Sequence, residues 1–262
     1  MVNLIYMVAG MSSRFGNKPK QMAIIGPNNE TLIEYSVNQA LQSNFTRLIF
    51  ITNSKTEYLF RDIFKDSYRN VPVEYVEQKY DKTKRIRPWG TCDAICSIIP
   101  IITESFIMVN GDDIYGTDAF KQGCKLLKNK NIIGGLKVID TLPEEGKVNR
   151  GIIYTKNNKV VGMKEMLKIS KKNNPELHNE LANVNFMGLQ PSILLELNKI
   201  LLEFKENHKD DERIECLLTD NLDELIKANK LEMEYFDIKN KILGITNPCD
   251  EIILRELLSK LY

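Results

Sequence analysis

NLIYMVAGMSSRFGNKPKQM, residues 3–22, opens as an apolar run and closes as a loop of small and cationic side chains. Segment 3–8 has the composition of a central strand, and the loop 10–21 leaves its carboxyl end. In an open parallel sheet, ligands collect at that end of the strands, where loops meet helix N-termini. Gly10 permits close backbone approach, Ser12 and Ser13 add hydroxyl and amide donors, and Arg14 and Lys20 bring positive charge for phosphate oxygens. The loop reads as a cradle for a triphosphate, with a plain flexible turn as the alternative. It is neither a P-loop, since Gly-x4-Gly-Lys-Ser/Thr is missing, nor a dinucleotide fingerprint, since Gly-x-Gly-x-x-Gly does not occur there.

Outward from this loop, apolar β-branched runs alternate with helix-period segments, the pattern of βαβ units and a largely parallel sheet. Segments 48–52, 73–76 and 106–110 read as further strands, and 31–42, 57–64, 92–99 and 117–127 as crossover helices. After 132–139 the texture changes. Short extended pieces at 152–155, 159–163 and 184–189 are separated by turn pairs such as Asn157-Asn158, as in an antiparallel lobe. Helices return at 193–204 and 222–228, a strand or two follow between 231 and 245, and 251–261 closes as an amphipathic helix. With no internal repeat or long linker, a single domain over 1–262 is expected, its 1–131 part nucleotide-binding and its 132–262 part binding the second substrate.

The 262 residues are 43% hydrophobic, enough for a sizeable core, and the formal charge of +1 argues against a nucleic-acid partner. Five scattered cysteines and two histidines, without a Cys-x-x-Cys pair, argue against structural zinc and a disulfide framework. No apolar run approaches the ~18 residues needed to span a bilayer, and no basic n-region with a cleavage signal precedes the first strand. The expectation is a reduced, cytoplasmic protein without a membrane partner.

Two more constellations carry chemistry. In FIMVNGDDIYG, residues 106–116, two carboxylates follow an apolar strand directly. Asp112 and Asp113 there suit Mg²⁺, a hard ion that takes carboxylate, phosphate and water oxygens, with an acidic turn or helix cap as the other reading. Gln78 ends the strand at 73–76, and Gly90-Thr91 opens a helix. A glutamine amide both donates to and accepts from a base edge, and a glycine lets a base lie against the backbone. Trp89, the only tryptophan, is placed either in the core or at this pocket.

With these residues in view, the sequence resembles the sugar-phosphate nucleotidyltransferases (NDP-sugar pyrophosphorylases). Ala9-Gly10-Met11-Ser12-Ser13-Arg14-Phe15 and the later Pro19-Lys20 resemble that family's first loop, Gly-x-Gly-(Thr/Ser)-Arg-(Leu/Phe) with a Pro-Lys. Gly111-Asp112-Asp113 resembles its metal-binding strand end. The resemblance implies that 9–13 bind the nucleotide, that Arg14 and Lys20 contact its phosphates, that Asp112, with Asp113 beside it, holds Mg²⁺, and that Gln78, Gly90 and Thr91 contact base and ribose. The insert at 79–87 departs from the shorter connection of many members.

In the second half, Asn149-Arg150-Gly151 resembles the family's Tyr-Gly-Val strand and Val160-x-x-Met163-x-Glu165 its Val-x-x-Ile-x-Glu-Lys element. Gly151 and Glu165 are thereby implied at the sugar. The family's phosphate-binding lysine falls on Met166, so Lys164 or Lys168 is expected to compensate. Asn183 matches an asparagine that reads the sugar, with a satisfied strand-end amide as the alternative. Leu217-Leu218-Thr219-Asp220 resembles an element of uridylyltransferases, and Thr219 and Asp220 are expected to cap a helix beginning at Leu222. The family's second metal carboxylate falls on Thr246, with Asn247 or Asp250 assisting through water.

The implied fold is α/β: a Rossmann-like mixed, mostly parallel sheet flanked by helices, with a smaller antiparallel sugar-binding lobe. The implied reaction passes a nucleotidyl group from an NTP, UTP favoured, to a sugar 1-phosphate, N-acetylglucosamine or glucose 1-phosphate favoured, and releases pyrophosphate. A nucleotide-sugar-dependent glycosyltransferase and a non-catalytic nucleotide-sugar-binding protein are the competing readings. No β-helix repeats are present for a second activity.

Overall fold

The apolar runs of the first half lie side by side in the computed structural model, which describes residues 1–10, 19–245 and 250–259. β1 (Asn3–Met7) leads through α1 (Leu32–Ala40) to β2 (Arg47–Thr52). α2 (Glu57–Phe64) and the short β3 (Ser67–Tyr68) lead to β4 (Val71–Glu77), and α3 (Thr91–Cys96) leads to β5 (Phe106–Asn110). β1 pairs in parallel with β2 and β5, and β2 with β4. Leu4, Ile5 and Tyr6 are fully buried, as a strand covered on both faces requires. α1 starts at a capping box in which Glu34 N–H donates to Thr31 Oγ1 and the Thr31 backbone N–H donates to the Glu34 carboxylate.

β6 (Asp113–Ile114), α4 (Thr117–Leu127), β7 (Asn131–Lys137) and the one-turn α5 (Val138–Thr141) come next. β8 (Val148–Lys156) and β9 (Lys159–Ile169) form a hairpin about Asn157 and Asn158, whose φ values of 51° and 61° suit a two-residue turn. β10 (Leu181–Leu189) runs antiparallel between β5 and β7. α6 (Ile193–Asn207), α7 (Leu218–Lys227), β11 (Met233–Asp237), β12 (Leu243–Gly244) and α8 (Asp250–Ser259) complete the described chain.

The long sheet has ten strands in the order β3-β4-β2-β1-β5-β10-β7-β11-β9-β8, and β8 pairs again with β10, so the second half curls back on itself. Register shifts in β10 and in the β8–β9 ladder mark bulges that sharpen this bend, with Asn185 at φ 58° and Lys168 at φ 56°. The antiparallel strands thus continue the parallel sheet instead of forming a separate one. α1, α2 and α4 cover one face through residues such as Val37, Phe60, Phe64 and Phe120. α3, α6 and α7 cover the other through Ile95, Leu197 and Leu222. No helix among the described residues is long and apolar enough to cross a membrane.

Two sequence expectations are corrected. α7 begins at Leu218, a turn before Leu222, because Leu217 is its N-cap and the Leu218 N–H donates to Thr91 Oγ1 at 2.9 Å. Thr219 and Asp220 therefore lie inside the helix instead of capping it. β9 also runs six residues past Met163, since its bulge hides the alternation.

Candidate active site

β1 and β5 are neighbours in register from Asn3–Phe106 to Met7–Asn110, so the loops that follow them share one edge of the sheet. On that edge Lys20, at the start of a 3₁₀ turn after Pro19, forms an ion pair with the Asp112 carboxylate. The approach depends on Gly111, where a Cβ would stand 2.3 Å from Val8 Cγ1. Ala9 is buried and its carbonyl accepts from Asn53 Nδ2 at 3.0 Å, while Gly10 faces open space. Met11, Ser12, Ser13 and Arg14 lie outside the described residues.

Asp113 accepts a hydrogen bond from Asn110 Nδ2 at 2.9 Å, and its strand β6 pairs with β12, where Gly244 lies opposite it. A Cβ at Gly244 would stand 2.3 Å from Asp113 Oδ1. Burial, followed by the neighbouring Asp112 charge, pushes the Asp113 carboxyl up to about 7. Two adjacent acids, one raised by its surroundings, fit a divalent cation that takes one or two carboxylates and fills its remaining positions with phosphate and water oxygens. β12 delivers the chain to residues 246–249, so Thr246 and Asn247 follow this pair directly but are outside the described residues.

A second group surrounds the end of β4. Gln78 is buried, and its Nε2 donates to Gly90 O at 3.0 Å and Asp93 Oδ2 at 2.8 Å. Asp93 in turn pairs with Lys205. Both amide N–H groups of Gln78 are thus engaged in holding the Gly90 turn, and the expected donation to a base is corrected accordingly. Gly90 has φ 99°, and a Cβ there would stand 2.7 Å from Cys216 O. Thr91 uses its hydroxyl to cap α7. Trp89 packs structurally, beneath Arg85 at 3.4 Å and edge-on to Phe204 at 6.3 Å. Arg85 is itself buried and donates to Arg87 O, Asp211 O and Ile214 O, clamping the 79–87 insert to the segment before α7.

A third group sits where β8, β9 and β10 meet. Gly151 pairs with Glu165 on one side and Asn183 on the other. A Cβ on Gly151 would stand 3.2 Å from Asn183 Cβ, 3.2 Å from Thr219 Cγ2 and 3.3 Å from Glu165 Oε2. The glycine is the floor of a notch walled by those three side chains. Asn183 Oδ1 accepts from Asn185 N at 2.8 Å, and its Nδ2 lies 3.4 Å from Thr219 Oγ1. Burial and then Asp220 raise the Glu165 carboxyl, and Arg150 offsets part of this.

Neither lysine expected beside Glu165 stands there. Lys164 precedes it on β9 and leaves the opposite face by the strand's alternation, while Lys168 is exposed at the bulge. Arg150 and Asp220 were missed from the sequence. The signal for Arg150 was a cation immediately before the notch glycine, and that for Asp220 the helical step that sets it near Glu165.

A model of the nucleotidyl transferase family matches residues 15–240. Among solved structures, a UDP-glucose pyrophosphorylase complexed with UDP-glucose superposes with a TM-score of 0.71 at 20% identity, covering 100% of each chain. An inositol-1-phosphate CTP transferase from T. maritima gives 0.70 at 16% identity, covering 99% of this chain and 95% of that one. A UTP-bound UGPase from Acinetobacter baumannii gives 0.68 at 16% identity, covering 100% and 95%. At these identities the likenesses speak to the fold. No curated protein matches the sequence.

Proposed function

The chain belongs to the nucleotidyl transferase family, and from that premise we propose that it transfers a uridylyl group from UTP to a sugar 1-phosphate, glucose or N-acetylglucosamine 1-phosphate, and releases pyrophosphate. Transfer onto sugar phosphates is the coarser function of the family and its structural neighbours. Uridine is favoured by the Leu218-Thr219-Asp220 element and by two neighbours described with UDP-glucose and UTP.

The observation that carries this reading is the Lys20–Asp112 contact, which joins a cationic loop to an acidic strand end on one edge. In this reading the triphosphate lies along 9–14 and Lys20, and residues 1–131 serve mainly the nucleotide. Asp112 and Asp113 would hold Mg²⁺, which supplies charge neutralisation for the phosphates when bound. Lys20 has three ammonium donors, so it keeps donors for phosphate oxygens while paired with Asp112. The sugar lies in the Gly151 notch, its hydroxyls read by Glu165 and Asn183. The acceptor's phosphate oxygen attacks the α-phosphorus in line with the departing pyrophosphate, and the chain contributes position and charge without a nucleophile of its own.

A pyrophosphate-release screen of UTP, dTTP, CTP, ATP and GTP against a panel of sugar 1-phosphates, with Mg²⁺, tests the reading. UTP with a hexose 1-phosphate is expected to give the highest rate. Lys20→Ala and Asp112→Ala should each lower kcat about a hundredfold, the loss typical of removing one group that stabilises developing charge, with unchanged melting curves. Near-normal rates in both variants would refute the site. A protein that bound UDP-sugar and released no pyrophosphate would be a binding protein instead.

A further inference from the structure

Arg150 is a half-buried cation whose interactions are all with neutral groups. Its Nε donates to Thr141 Oγ1 at 3.2 Å, Nη1 to Asn149 O at 2.9 Å and Nη2 to Thr141 O at 2.9 Å. A guanidinium has five N–H donors, so one N–H on each terminal nitrogen is left without a protein acceptor among the described residues. Those two form a fork, the geometry that matches two oxygens of a phosphate.

Its place in the fold points the same way. Arg150 pairs across the β8–β9 ladder with Met166, next to the Gly151–Glu165 pair that floors the notch. Gly151 lies opposite Asn183 on β10, so the antiparallel register sets Arg150 level with Val184. The Val184 carbonyl accepts from the Tyr115 hydroxyl at 2.8 Å, and that hydroxyl accepts from Asn110 N at 3.2 Å, two residues before Asp112. Lys164 shares the strand face of Arg150 but lies opposite Ile152, farther from the acids. The Arg150 charge is felt at both Asp113 and Glu165, where it favours the ionised forms. It stands between the acidic pair and the notch.

We propose that Arg150 holds the phosphate of the acceptor, gripping two of its oxygens with the free arms of the guanidinium. The proposal deepens the function above by assigning the residue that binds the phosphomonoester end of the sugar phosphate. An acceptor without that group loses this grip.

The test uses Arg150→Gln, which keeps donors for Thr141 but removes the charge, in the purified full-length enzyme. With the best NTP and sugar 1-phosphate of the screen, the acceptor KM should rise at least thirtyfold while the NTP KM stays within twofold. Adding Met166→Lys to that variant should recover at least fivefold, because residue 166 faces the same position. An acceptor KM within threefold of wild type overturns the proposal while leaving the reaction intact. Should Arg150→Gln fail to fold, Arg150→Lys replaces it: the lost fork should raise the acceptor KM at least fivefold, and an unchanged KM overturns the proposal.

Calorimetry with inorganic phosphate separates this inference from the reaction itself. Wild type should bind the anion, and Arg150→Gln at least tenfold more weakly. If no nucleotide and acceptor pair releases pyrophosphate, the proposed reaction fails and this comparison alone decides on Arg150. Equal affinities, or no phosphate binding by wild type, overturn it.

Discussion

Gly151 shows how a missing side chain makes a site. Its neighbours on both strands and on α7 stand just over 3 Å from the place a methyl group would take, so Gly151→Ala fills the notch without forcing the backbone. The variant should melt near wild type and raise the acceptor KM more than tenfold, which steady-state kinetics at saturating NTP would reveal; an unchanged KM would place the sugar elsewhere. Beside it, Glu165 protonates at higher pH than an ordinary carboxylate, first because it is buried and then because Asp220 is near. Asp220→Asn removes one upward influence, so Glu165 should stay ionised to lower pH. The acid limb of the kcat/KM profile for the acceptor should therefore move to lower pH, and an unmoved limb would disconnect Glu165 from binding. Glu165 and Asn183 were readable in the sequence from their place next to apolar strand residues. Arg150 was not, because its chemistry depends on which residue faces it across the ladder.

At the level of elements, legibility tracked how local the determinants were. α2, β5 and α4 match the sequence expectations end to end, since apolar periodicity alone sets them. α7 does not, because its first N–H is capped by Thr91, 127 positions away, and nothing near Leu218 announces a start. Gln78 was misread for the same reason: its partners Gly90 and Asp93 belong to another element. The Gly90 turn is the joint where these long-range ties meet, with Cys216 N donating to Trp89 O at 2.7 Å and Cys92 N to Cys216 O at 3.1 Å. Gly90→Ala would combine a left-handed backbone with a Cβ 2.7 Å from a carbonyl oxygen. It should cost about 3 kcal/mol by denaturant unfolding, the combined scale of backbone strain and a displaced partner. A loss below about 1 kcal/mol would mean the turn relaxes freely.

Across the whole molecule, one sheet carries both proposed substrates, and its parts differ in cover. β1, β2 and β5 are packed by helices on both faces, while β8 and β9 end with exposed residues such as Tyr154, Val161 and Leu167. Native-state hydrogen exchange should find the slowest amides in β1 and β5 and earlier opening in the β8–β9 hairpin. Equal protection of the hairpin and the centre would contradict this ranking. The parallel half was legible because strands covered on both sides are written as apolar runs. The curl that returns β8 to β10 was not, because bulges at Asn185 and Lys168 break the period of two. The Tyr115 hydroxyl spans the join between the halves through two main-chain atoms, Asn110 N and Val184 O. A gauge built on main chain is indifferent to which side chains occupy 110 and 184, so the distance between donor and acceptor can be inherited unchanged while the choice of sugar drifts.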